Sequence, residues 1–106
     1  MAAVVYLVSD LLFTSKIRET ATQLGHDVQA VRAAGEVAAA TANARFLIVD
    51  LRRPDALEAL EAAAPTAKKI GFVDHERTDV MEAARARGCV ALAKGKFSSE
   101  LPRLLL

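Results

Sequence analysis

The chain has 106 residues, with 53% hydrophobic and 25% charged side chains and a formal net charge of +1. That length fits one core, so the whole of 1–106 reads as a single domain, and the balance of apolar and charged residues excludes a disordered chain. The near-zero net charge, the absence of Trp and the single Tyr argue against direct nucleic-acid binding, which needs a cationic surface or stacking platforms.

No apolar stretch nears the roughly 20 residues needed to span a bilayer, and the start, Met1 to Asp10, lacks the basic region and cleavage pattern of a signal peptide. A cytoplasmic protein away from membranes is expected. The lone Cys89 has no internal disulfide partner, which agrees with a reducing compartment.

Five β-type runs stand out: Val4 to Ser9, Asp27 to Val31, Phe46 to Asp50, Lys69 to Asp74 and Cys89 to Ala93. Helical patterns lie between them. Phe13, Ile17, Ala21 and Leu24 share one face before Gly25, a residue suited to the left-handed backbone that closes helices. The Ala-rich stretch Glu36 to Ala42 reads as a short second helix. A third runs from Asp55, placed near a capping-box pattern with Glu58, through Leu57, Leu60 and Ala64 to Pro65. Thr78 is expected to cap a fourth, with Val80, Ala83, Ala84 and Arg87 leading to Gly88. Ser98 or Ser99 is expected to cap a fifth through Leu101, Leu104 and Leu105, with Pro102 in its first turn, where Pro is tolerated.

Strand and helix alternate five times, which demands crossover connections and a parallel sheet covered on both faces. The first and third runs are almost continuously apolar, as central strands must be, whereas Asp27-Val28-Gln29-Ala30-Val31 is more polar and reads as an edge. The expected fold is therefore an α/β flavodoxin-like three-layer sandwich, (βα)5, with sheet order 2-1-3-4-5. Its functional crevice lies at the carboxyl ends of strands one and three. Asp10 and Asp50 fall there, Asp74 and His75 follow strand four, and Lys94 follows strand five. A carboxylate ending a buried strand is costly without a partner.

This arrangement resembles the receiver domain of two-component response regulators over nearly the whole chain. The resemblance implies that Asp50, with Pro54 after it, occupies the phosphoacceptor position, that Lys94 is the lysine that contacts the phosphoryl group, and that Asp10 is the second member of the acidic pair after strand one. It implies Mg²⁺ held by Asp10, Asp50 and the backbone carbonyl of Arg52. Independently of that family, two carboxylates with a divalent ion and a lysine are a sufficient minimum for phosphoryl transfer to an in-line nucleophile.

The departures are equally specific. Ser9 replaces the first acid, Asp74 stands in the Ser/Thr switch position, His75 replaces a small residue, Ala91 stands where a switch aromatic is common, and Gly95 stands where Pro follows the lysine. Two carboxylates about 5 Å apart repel by about 3 kcal/mol at an effective dielectric of about 20, so Asp74 demands a cation. Either it supplies the carboxylate lost at Ser9 and joins Asp10 and Asp50 around a metal, or it pairs with Lys94 or Arg52. Arg52 and Arg53 read most simply as a solvated loop, with charge balance for Asp50 as the sharper alternative. Cys89 reads as a small buried hydrophobe, His26 as a solvated turn and His75 as a partly exposed loop residue.

The expected function is that of a degenerate pseudo-receiver in two-component or phosphorelay signalling. It is not an enzyme and acts through contacts with a histidine kinase or an output protein. Mg²⁺ binding is weakened or lost, and a homodimer is left open. The resemblance puts the binding surface on the fourth helix, fifth strand and fifth helix. One alternative is a working Mg²⁺-dependent acceptor phosphorylated on Asp50. A flavodoxin-like small-ligand binder is disfavoured because Leu11-Leu12-Phe13 continues the first loop without glycine or hydroxyl residues. A carboxylate hydrolase is disfavoured because Arg52 stands where its second acid is needed.

Overall fold

The computed structural model describes residues 2–106. In chain order the elements are β1 (Val4–Leu7), α1 (Leu11–Gln23), β2 (Val28–Ala30), a 3₁₀ turn (Ala34–Glu36), α2 (Val37–Thr41), β3 (Phe46–Asp50), α3 (Ala56–Ala62), β4 (Lys68–Val73), α4 (Thr78–Arg85), β5 (Cys89–Ala93) and α5 (Lys94–Leu104). The sheet is five-stranded in the order β2-β1-β3-β4-β5, and each pairing between neighbours is parallel. This is the expected flavodoxin-like, or Rossmann-like, three-layer arrangement.

The pattern of burial explains the order. β1 and β3 are buried at every position, so they need cover above and below, whereas β2 is mostly exposed at the rim. Two cores result. Val5, Leu7, Leu47 and Val49 face α2, α3 and α4 through Val37, Leu60 and Ala84. Tyr6, Ile48, Ile70 and Phe72 face α1 and α5 through Ile17, Ala21, Phe97 and Leu101. Alternate side chains of one strand thus feed opposite layers, as the pleat requires.

Local chemistry sets the ends of α1. Asp10 is its N-cap and accepts hydrogen bonds from the backbone N–H of Leu12 (2.9 Å) and Phe13 (3.3 Å). At the other end Gly25 adopts φ +81°, and the N–H groups of Gly25 and His26 donate to the carbonyls of Thr22 and Ala21, the paired bonds of a Schellman motif.

Several expectations are corrected. β1 stops at Leu7 rather than Ser9, which frees Val8 to Asp10 to form the crevice rim. α4 begins at Thr78 but has no side-chain cap, and it buries Met81 and Ala84 rather than Ala83 and Arg87. Arg87 turns outward instead to Glu61 (2.8 Å). α5 starts at Lys94 directly after β5, so Ser98 and Ser99 lie inside it and Pro102 sits in its last turns, not its first. The helix starts early because Phe97, fully buried, must point into the α1/α5 core. His26 is not a solvated turn: its Nε2 lies 2.7 Å from the carbonyl of Leu105, to which it donates, and its ring meets Phe46 edge-on.

Candidate functional site

Parallel pairing of β1 with β3 in the register Leu7 to Val49 brings the loops that follow them to the same sheet edge. Asp10 and Asp50 therefore share one rim, as expected. Asp50 is the last residue of β3 and is buried, at 4% exposure, whereas Asp10 remains half-buried at the start of α1.

A cation joins them, and it comes from the chain. Arg52 folds back over Asp50 as a fork: Nε donates to Oδ1 at 2.9 Å and Nη2 to Oδ2 at 2.7 Å, while its backbone N–H donates to Oδ1 at 3.0 Å. The same Nη2 lies 3.5 Å from Asp10 Oδ2. Planar two-point pairing of this kind is the strong form of a carboxylate contact. The hydrogen bonds it donates to Asp50 raise the affinity of Arg52 for its proton, against partial burial, with Asp10 adding to the effect. Its Cζ also sits 5.9 Å from the centroid of Phe72, whose ring clusters with those of Phe13 (4.5 Å) and Phe97 (4.6 Å), themselves 6.0 Å apart. The charge-balance reading of Arg52 is the one the geometry realises.

Asp10 is held below the usual carboxylate range, chiefly by the N–H of Phe13 and further by Leu12 and Arg52. Asp74 lies across the rim with Lys94 Nζ 3.0 Å from Oδ1. That hydrogen bond lowers the Asp74 pKa most, with the charges of Lys94, Arg52 and Arg77 adding to it. Of the two roles open to Asp74, ion pairing is therefore the one seen, and Lys94 turns to Asp74 rather than to Asp50. His75 lies outside this group, strongly exposed beside Glu76 at 3.2 Å.

Arg53 is not the solvated loop residue expected. It bridges three loops: Nη1 donates to Ser9 Oγ (2.6 Å), Nη2 to the carbonyl of Arg32 (2.9 Å), and Nε to Asp55 Oδ1 (2.9 Å). Asp55 also accepts from the N–H of Ala34 (3.0 Å) and is held below its usual range, first by Arg53. It makes no side-chain cap on its own helix, so the capping-box pattern serves the loop instead. Ser9, where the receiver pattern has an acid, thus completes an arginine's hydrogen bonds.

Leu51 was missed as a positioning residue. It is buried against Gly71 of β4, where a Cβ would come within 2.8 Å of its Cγ. That close approach anchors the turn that aims Arg52 back at Asp50. The signal in the sequence was a lone glycine inside an apolar strand, which marks a close approach of neighbouring groups. Cys89 is buried as expected, and burial pushes its thiol up to about 12.

Among the described residues no group of three or more His, Cys, Asp and Glu side chains is placed to hold a metal ion. The donor set does not fit the implied Mg²⁺. Both oxygens of Asp50 already accept from Arg52, and a guanidinium stands between the two carboxylates that would ligate the ion. A concavity of about 430 Å³ lies away from this rim, lined by Gln29, Val31, Glu36 and Ala39 beside the edge strand. No described helix is long and apolar enough to cross a membrane.

No family model matches the chain, and no curated protein matches it. Among solved structures it is similar to a de novo designed Rossmann 2x3 fold protein, determined by solution NMR, with 18% identity and a TM-score of 0.72 over 99% of this chain and 90% of that one. At that identity the likeness concerns the fold alone.

Proposed function

We propose that this chain is a pseudo-receiver: a domain of response-regulator type that works in two-component or phosphorelay signalling through protein contacts, without phosphorylation of Asp50. The observation that carries this reading is the Arg52 fork. A phosphoacceptor must present a carboxylate oxygen to an incoming phosphorus in line with the leaving group. Here Oδ1 accepts two N–H donors and Oδ2 a third, at 2.7 to 3.0 Å. Lys94, the residue that would neutralise the incoming phosphoryl oxygens, is committed to Asp74, whose negative charge opposes a phosphate.

In this reading the protein is cytoplasmic and has no catalytic activity, and its partner is a histidine kinase or an output protein. The alternative is a working acceptor in which Arg52 swings aside. The test is incubation of the wild type and Asp50→Ala with acetyl phosphate and Mg²⁺, followed by intact mass measurement. The pseudo-receiver reading predicts no mass gain in either protein; a gain of one phosphoryl group in the wild type, lost in Asp50→Ala, establishes the acceptor instead.

A further inference from the structure

We infer that Arg52 is the built-in counter-cation of this crevice, occupying the place between Asp10 and Asp50 that a divalent metal ion would take and thereby excluding one. The inference rests on the pseudo-receiver reading and adds the agent responsible for it.

Three observations converge. First, one nitrogen, Nη2, reaches both carboxylates, at 2.7 Å from Asp50 Oδ2 and 3.5 Å from Asp10 Oδ2. A bridging position between two acid groups is what an oxygen-seeking divalent ion requires, and two cations cannot share it without strong repulsion. Second, the fork is supported on its other sides. Phe72 lies under the guanidinium, and Leu51, packed on Gly71, fixes the turn from which Arg52 springs. Displacing the side chain would therefore break more than the ion pair. Third, the remaining ligands are spent elsewhere. Asp10 caps α1 through Oδ1, Ser9 accepts from Arg53, and Asp74 holds Lys94.

The charge count sets the consequence. Asp10 and Asp50 carry two negative charges, of which Arg52 cancels one, and the N–H groups at the start of α1 meet Asp10. Removing the guanidinium leaves Asp50, 4% exposed, without a cation and opens the space beside it. An added divalent ion then has a vacancy of the right charge.

Thermal melts with chelator and with Mg²⁺ test this on the wild type, Arg52→Ala, Arg52→Gln and the Asp10→Asn/Arg52→Ala double variant. The wild type should melt at the same temperature under both conditions. The Arg52 variants should melt lower in chelator, recover by about 3 °C or more in about 20 mM Mg²⁺, and lose that recovery when Asp10→Asn is added. A variant without a cooperative transition in chelator that regains one in Mg²⁺ counts as the same supporting result. Two outcomes overturn the inference: a wild type stabilised by Mg²⁺ as much as the variants, or no response in either Arg52 variant. Its failure is separable from that of the pseudo-receiver reading, because uptake of a phosphoryl group by the wild type defeats the reading, whereas flat melts in both variants defeat only the role given to Arg52.

Discussion

Asp50 and its neighbours show how far a single residue's role depends on which cation reaches it. Arg52, Arg53 and Lys94 are all within plausible range in the sequence, and each finds a different carboxylate: Asp50, Asp55 and Asp74. Only Leu51 separates Arg52 from Asp50, so their proximity was legible, but a surface ion pair in a loop is worth little unless its geometry is held. Gly71 holds it, by leaving room for Leu51. Substitution Gly71→Ala places a Cβ 2.8 Å from Leu51 Cγ, which clears it only if a buried side chain or the backbone beside it shifts. Overpacking of this kind should cost about 1–3 kcal/mol, read as a lower urea midpoint at unchanged slope. A variant as stable as the wild type would show that Leu51 is not wedged there.

Among the elements, α5 departs furthest from its sequence expectation. Local pattern favoured a start at the serines, because hydroxyl residues cap helices and Pro belongs in a first turn. Burial of Phe97 and Leu101 outweighs those preferences and draws the helix back to Lys94, which leaves Pro102 near the far end. There its ring replaces an N–H that would bond the carbonyl of Ser98. Pro102 is itself exposed, so Pro102→Ala removes little packing and should stabilise the protein by about 1–3 kcal/mol, measured by denaturant unfolding. Unchanged or reduced stability would mean that the helix has already adjusted around the ring. Early onset also sets Lys94 at the first turn, within 3.0 Å of Asp74. The sequence placed this lysine in a loop, yet its position at the rim was legible from strand five alone.

On the scale of the whole molecule, the loops at one sheet edge are tied by ion pairs, and this shapes the response to acid. Asp10, Asp55 and Asp74 all have pKa values lowered by folding: Asp10 chiefly by helix N–H groups, Asp55 by Arg53 and Asp74 by Lys94. A carboxylate with a lowered folded-state pKa contributes stability above its unfolded value of about 3.9 and loses it as pH falls through the folded value. The melting temperature should therefore change little between about pH 7 and pH 5 on account of these groups and fall below about pH 4. A melting temperature that rises on acidification below that point would contradict these pairings. The topology was readable without coordinates, because strands that are apolar at every position must be central, a polar strand must be peripheral, and a strand-helix alternation permits few parallel arrangements. The same logic delivered Asp10 and Asp50 to one rim. Which cation answered which carboxylate was a matter of three dimensions. It turned on how Leu51 sits on Gly71, where α5 begins and how Arg53 spans three loops, and such contacts between segments distant in the chain leave no period or spacing behind them.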